Sequence, residues 1–495
     1  MIKRNALSNL VGRIWGIISL FIFIPFYISY LGSTGYGYIG FYNTLVALLA
    51  FADLGFSAAT TREFARLSGG DEQNEIEKSK ILRSYEFLYL SIVIIVVLTI
   101  SFGANWISHK WLVASTNVDV SQLIILMALS FGLQLPTNLY VGALMGSERQ
   151  ILANGLQIGW GIFRSAGVLP ILHYISNSLE AFFIWQFLSN FLFLIIIYKL
   201  TWRKIKSSDK KFSLNILKST YRYALGMAGM GILASVATQI DKLIVTKNFN
   251  IEVVGFYTLA GTLSLIPLIF ITTLAKAAFP RFTILKEKQE IEHLKTLYFS
   301  LSKIAVVAIL PISTVLAIYS HSIIYMWTHS LIIADKASDI VFFLMLAQAI
   351  QALTVLPFYL SLSYAYVRIN MIFSAIMIIE IPIVYYFAMQ HEGTVGVAKS
   401  VLITVLTIFI PYMYLLHTRL ISGIFSRWCS EVSISVFLCV IAIYILDRLG
   451  VNDRDNLLFT VINGLVTWLI LSIIILFGVG IKKPSHMFAL LKSLR

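Results

Sequence analysis

Charge is scarce in this sequence. Only 13% of its 495 residues are Asp, Glu, Lys or Arg, while 58% are hydrophobic. Soluble domains carry about 25% charged residues, so a lipid bilayer must be the solvent for most of this chain. Cysteine is scarcer still. Cys429 and Cys439 stand in one apolar run with neither a Cys-x-x-Cys spacing nor a His partner, which argues against a disulfide framework or a zinc site. Long hydrophilic stretches are missing too. The longest are 62–83, 199–222 and 276–302, too short for an extramembrane domain with its own core. The helices themselves must do the work. Gly393-Thr394-Val395-Gly396-Val397-Ala398-Lys399-Ser400 has Ala where a phosphate-binding loop needs Gly before Lys, so ATP hydrolysis is out. His-Glu-x-x-His and Gly-x-Ser-x-Gly are absent. The expectation is a transporter and not an enzyme, with no metal and no cofactor.

What is present is a series of apolar runs, each long enough to cross about 30 Å of hydrocarbon as a helix. Fourteen spans are expected, at 8–31, 38–60, 84–104, 120–145, 151–172, 180–198, 222–243, 253–276, 303–326, 338–363, 369–389, 396–417, 429–447 and 457–480. The basic start, Met1-Ile2-Lys3-Arg4, resembles a signal peptide, but no small-x-small site follows and the apolar run is long, so it reads as the first span. An even number puts both termini on one side. With that side cytoplasmic, 29 Lys and Arg fall inside and seven outside, leaving Arg13 and Arg164 within spans. This bias fixes the orientation. It also assigns the net charge of +14 to topology beside an anionic leaflet, not to nucleic acid. The segment 287–295 reads as a short interfacial helix.

The first two runs flank a polar tip, Gly32-Ser33-Thr34-Gly35-Tyr36-Gly37, and form a hairpin over 6–66. Its pattern returns. Ile39-Gly40-Phe41-Tyr42-Asn43-Thr44-Leu45 is echoed by Val254-Gly255-Phe256-Tyr257-Thr258-Leu259, and Leu135-Pro136-Thr137-Asn138-Leu139 by Leu356-Pro357-Phe358-Tyr359-Leu360. The two offsets, 215 and 221 residues (255 − 40 and 356 − 135), describe one duplication with a small insertion. Six spans per copy give two lobes of like orientation that rock about a central cavity. The expected division is an N-lobe over 1–198, a cytoplasmic linker over 199–221, a C-lobe over 222–417, and two appended spans with a tail over 418–495.

A charge at the bilayer centre costs about 2.5–3.5 kcal/mol on insertion scales, so it faces a cavity or a partner. Arg13 and Asp53 lie at similar distances from the tip and either pair structurally or form a substrate or proton site. Arg164 and Glu380 lie near the midplane of repeat-related spans and are expected to line a shared cleft. Asp241, beside Lys242, is placed at the outer end of span seven, where interface water lowers its cost. Trp15, Trp160 and Trp185 are candidates for stacking on sugar rings, against the alternative of belt or packing roles.

Tyr30-Leu31-Gly32, Gly35-Tyr36-Gly37, Ala52-Asp53-Leu54-Gly55-Phe56 and Thr61-Arg62-Glu63-Phe64-Ala65 resemble the opening of the bacterial polysaccharide flippases. These are the Wzx-type O-antigen transporters of the multidrug/oligosaccharidyl-lipid/polysaccharide exporter superfamily. Ile240-Asp241-Lys242-Leu243-Ile244 before Gly255-Phe256-Tyr257 is similar to the family's second-lobe opening. The resemblance implies an all-α integral membrane fold of the MATE type: two pseudo-symmetric six-helix lobes around a cavity, plus two C-terminal helices. It implies a flippase that carries undecaprenyl-pyrophosphate-linked oligosaccharide from the cytoplasmic to the periplasmic leaflet of the bacterial inner membrane. Arg164 and Arg13 are then candidates for the pyrophosphate, because Arg meets its oxygens two at a time, and Trp160 lines the same cavity. Glu380, Asp53 and Asp241 are the ion-coupling candidates, for H+ or Na+. Membrane lipids and other polysaccharide-assembly proteins are the further partners. Multidrug antiport within the superfamily and a membrane-embedded polysaccharide polymerase are the competing readings.

Overall fold

The computed structural model describes residues 2–53, 55–67, 71–112, 120–205, 211–448 and 457–478. Among these it is helical, with no β-strand. In chain order the helices are α1 (Ile2–Leu49), α2 (Phe56–Arg66), α3 (Glu72–Trp106), α4 (Ser121–Gly146), α5 (Gln150–Tyr174) and α6 (Leu179–Trp202). Then come α7 (Leu214–Asn248), α8 (Ile251–Ser264), α9 (Ile266–Glu287), α10 (Ile291–Ile318), α11 (Ser320–Thr328) and α12 (Leu331–Leu353). The last are α13 (Val355–Ser363), α14 (Arg368–Val384), α15 (Gly393–Leu420), α16 (Phe425–Arg448) and α17 (Leu457–Gly478). Among the described residues helix occurs at each of the fourteen places where a span is expected, with breaks such as those inside 38–60, 253–276 and 338–363. Among the described residues, however, nine stretches are long and apolar enough to cross a membrane, so fourteen crossings remain an expectation.

The chain divides into two compact units, Met1–Gln239 with Thr246–Gly255, and Ile240–Val245 with Phe256–Arg495. In the first, helices approach closely at particular glycines. A Cβ at Gly142 of α4 would stand 2.5 Å from the Ser57 carbonyl oxygen of α2, and one at Gly146 would overlap the Thr61 carbonyl. Thr61 Oγ1 bridges the same pair, donating to the Gly142 carbonyl at 3.1 Å. Small residues and hydroxyls are what hold helices together where lipid removes the hydrophobic drive. Farther along α4, Asn190 of α6 donates to the Ser130 carbonyl at 3.0 Å and to Ser130 Oγ at 2.9 Å. The start of α6 is fixed by Ser178, whose hydroxyl accepts from the Ala181 amide at 3.2 Å, with Glu180 in the first turn.

The second unit packs around α10. Leu294, Tyr298, Leu301, Ala305, Ile309 and Leu310 are buried at helical spacing against residues of α9, α12, α13 and α15. Phe102, Tyr174 and Phe387 are more than 80% exposed, as side chains that face lipid are.

Two sequence expectations need correction, and a third needs refining. The tip at Gly32–Gly37 is tighter than its six residues suggest: Gly32 alone leaves helical geometry (φ 72°, ψ 178°), dividing the helix before it from the one after. Gly35 to Tyr42 are buried, because Gly37 and Gly255 lack a Cβ and let helices cross there; a Cβ at Gly37 would overlap the Ile251 carbonyl. The segment 287–295 is not a separate interfacial helix either. It is the turn from α9 into α10, with Gln289 at φ 58°. Finally, Asp241 is not bathed by interface water. Helix α7 runs on to Asn248, and Asp241 is 8% exposed.

The duplicated motifs differ in shape. Pro136 sits inside an unbroken α4, whereas Pro357 follows a break at Thr354 between α12 and α13. The Gly40 and Gly255 copies are alike in one respect: each lies on a helix that breaks downstream. The first breaks over 50–55, where Gly55 takes φ 73° to start α2, and the second at Leu265, before Pro267.

Candidate functional site

The most unusual environment in the first unit lies on α5. The Arg164 guanidinium lies over the Trp160 ring, 4.5 Å from its centroid. The other face of Trp160 stacks on Phe193 of α6 at 4.7 Å and 11°. A cation, an indole and a phenyl ring thus form three layers. Such a cation–π contact is worth about 0.5–2 kcal/mol, more as water is removed. Among the described residues no carboxylate pairs with Arg164. The helix beneath it is clamped from two sides: Trp185 Nε1 donates to the Arg164 carbonyl at 3.1 Å, and Tyr27 Oη donates to the Ser165 carbonyl at 3.1 Å. Trp185 lies so close to Gly167 that a Cβ there would stand 2.5 Å from its ring. The indole nitrogens of Trp15 and Trp160 are both buried without a hydrogen-bond partner. The side chain of Arg13 lies outside the described residues.

Asp53 occupies the break between α1 and α2. Its carboxylate accepts from Ser57 Oγ at 2.7 Å and from the hydroxyl of the fully buried Tyr89. Two hydroxyls, not a cation, hold this charge among the described residues, and the start of α2 lies beside it. That is a favourable place for a carboxylate.

In the second unit, Tyr257 donates to Asp241 at 3.0 Å and Lys242 lies 3.5 Å away. Glu380 of α14 accepts from Thr407 of α15 at 2.6 Å. Arg164 and Glu380 therefore belong to different units, each with its own partners.

Sequence reasoning missed two polar centres. Glu86 of α3 accepts from Tyr140 Oη at 2.9 Å, Trp202 Nε1 at 2.6 Å and Arg83 Nη1 at 2.9 Å. Its side chain is 10% exposed. In the second unit His417 is buried, with Nε2 2.7 Å from the Tyr298 hydroxyl and Nδ1 unpartnered. Neither residue looked unusual in the sequence, since both stand near the ends of expected spans, where charge is common. Outside the spans, burial pushes the Glu63 carboxyl up, but hydrogen bonds from Arg66 and Arg62 outweigh this and hold it below its ordinary value. Among the described residues no cluster of His, Cys, Asp and Glu could hold a metal.

Comparison with known proteins agrees with the helical architecture. The lipid II flippase MurJ, in an inward closed conformation, superposes with a TM-score of 0.69 at 15% identity, covering 95% of this chain and 98% of its own. An inward-facing multidrug transporter of the MATE family, from the MOP superfamily, gives 0.67 at 14% identity, covering 82% and 95%. The fold is therefore the one shared by MATE transporters and MurJ. A Shigella flexneri protein assigned as an O-antigen transporter is 22% identical over 433 residues, 87% of this chain and 99% of its own length. The profile of the family described as "Polysaccharide biosynthesis protein" matches residues 2–286, more than half of the sequence, and this chain belongs to that family.

Proposed function

We propose that this protein is a flippase that moves undecaprenyl-pyrophosphate-linked oligosaccharide, an O-antigen unit or a related one, from the cytoplasmic to the periplasmic leaflet of a bacterial inner membrane. The lipid tail stays in the bilayer while the anionic, sugar-bearing head crosses through the protein. Both termini face the cytoplasm, and the two lobes open in turn to each side. H+ or Na+ supplies the coupling, with Glu380, Asp53 and Asp241 as the carboxylates that would carry it. Family membership supports the sugar substrate.

The observation that carries the reading is Arg164: a partly buried cation, in a stretch expected to span the membrane, with an aromatic seat and, among the described residues, no carboxylate partner. A guanidinium kept unneutralised at such cost is available for an incoming anion. Arg13 is the second candidate for the same head group.

The test is complementation. In a strain lacking its own exporter, Arg164→Ala is expected to abolish surface polysaccharide while the protein stays at normal level in the membrane. Lipid-linked oligosaccharide should then accumulate on the cytoplasmic leaflet. Normal surface polysaccharide from that variant would remove Arg164 from the mechanism.

A further inference from the structure

A sugar-stacking role for Trp160 fails on its surroundings. Stacking needs a free aromatic face, and Trp160 has none: Arg164 covers one at 4.5 Å and Phe193 the other at 4.7 Å. What it has left is its ring nitrogen, a donor that can never accept. That nitrogen is buried without a partner, and so is the one on Trp15. Leaving a donor buried and unpaired is costly. Two such losses beside one arginine call for a common acceptor.

The helix geometry brings them together. At about 100° per residue, positions 160, 161 and 164 adjoin on one face of α5. Arg164 is in the middle and Trp160 is on one side. On the other side is Gly161, where a Cβ would lie 3.6 Å from Trp15 Nε1. Gly161 thus leaves bare backbone beside the Trp15 indole nitrogen, next to the positions of Trp160 and Arg164 on the helix. With one face against Trp160, the guanidinium keeps its N–H edges for a ligand. Among the described α5 side chains on this face, Trp160 and Arg164 are donors and Gln157, exposed one turn earlier, also brings an acceptor. A sugar ring needs both donors and acceptors around its hydroxyls. An oxyanion needs donors alone.

We infer that Trp15, Trp160 and Arg164 form an oxyanion-binding subsite on α5, in which the two indole N–H groups and the guanidinium take one phosphoryl or carboxylate group. This rests on the transport reading only for its biological meaning. In that reading the oxyanion comes either from the pyrophosphate link or from an acidic sugar.

The experiment uses the full chain in nanodiscs, labelled with 15N at the tryptophan indoles, with Trp15→Phe and Trp160→Phe assigning the two signals. Inorganic pyrophosphate, glucuronate and neutral maltose are titrated in turn. One or both anions should move both indole signals, and maltose neither. Pyrophosphate as the effective probe points to the lipid link, and glucuronate to an acidic sugar. Arg164→Gln should weaken the response roughly tenfold or more. Trp160→Phe keeps an aromatic seat for Arg164 but loses the N–H, and should weaken it about threefold to tenfold. Melting temperatures near wild type separate these losses from unfolding. The inference is overturned if no anion moves the two indoles, if maltose alone does, or if Trp160→Phe binds anion as tightly as wild type. Complementation by the same variants reports the transport reading separately. Anion binding lost with polysaccharide export intact would refute that reading for this site and leave the subsite standing.

Discussion

Replacing Glu86 by Ala should remove the strongest polar tie in the first unit. Its carboxylate accepts two bonds from buried groups, the Tyr140 hydroxyl and the Trp202 indole, which are 5% and 8% exposed. A hydrogen bond to a charged group is worth about 1.5–3 kcal/mol net, so losing these two costs about 3–6 kcal/mol. The third partner, Arg83, is 44% exposed at its side chain and turns to water, adding about 0–1 kcal/mol. A loss near 4 kcal/mol is therefore expected for Glu86→Ala. Glu86→Gln keeps a carbonyl oxygen for Tyr140 and Trp202 and gives up the charge, so its expected loss is about 1–2 kcal/mol. Steric-trap unfolding of the whole protein in bicelles measures both, and tryptophan emission follows the Trp202 environment. A Glu86→Ala loss below about 1 kcal/mol would refute the reasoning. So would a Gln variant as damaged as the Ala variant, because then the bonds to the oxygen are not what matters.

Two more expectations follow from the same unit. Gly142→Ala should cost several times the roughly 1 kcal/mol that Gly→Ala gains in an ordinary helix, since the new Cβ would stand 2.5 Å from the Ser57 carbonyl oxygen; fluorescence-detected size exclusion after heating would show it, and an unchanged melting point would count against the close α2–α4 crossing. The Glu63 carboxyl is held below its ordinary value of 4.5, so it contributes stability above that pH and loses it as pH falls through the lowered value. Wild type should therefore approach Glu63→Gln in melting temperature as pH drops from 7 to below about 4, by a small amount because Arg62 and Arg66 are 74% and 57% exposed. A gap that widens on acidification would contradict the sign.

The positions of the helices were legible because run length and hydropathy depend on neighbouring residues only. Arg164 stood out for the same reason, as a charge inside an apolar run. Its surroundings did not, since Phe193 and Trp15 approach its neighbours Trp160 and Gly161 from elsewhere in the sequence. Trp160 was a candidate for stacking on sugar rings, but only packing shows that Arg164 and Phe193 already lie against its ring. Asp241 was misjudged because its exposure was inferred from distance to an assumed span end, and α7 continues past it to Asn248. The break at the Gly32 tip was legible in its run of Gly, Ser and Thr, but its extent was not, since one glycine at φ 72° is enough to break the helix and let both sides continue. Glu86 escaped notice because its partners Tyr140 and Trp202 lie 54 and 116 residues away.

The first compact unit is completed by ten residues, Thr246–Gly255, which the ribosome delivers only after six residues of the second. Ser33 donates to Glu252 at 2.7 Å, and the Trp111 indole donates to Thr246 at 3.2 Å. An N-terminal fragment cut in the connection after α6 would lack both groups, and its seat for Ile251 against Gly37 would be empty. The two halves therefore cannot mature one after the other as separate parcels. During synthesis the early helices must wait, incompletely closed, until Val245 has been added and the missing decapeptide arrives.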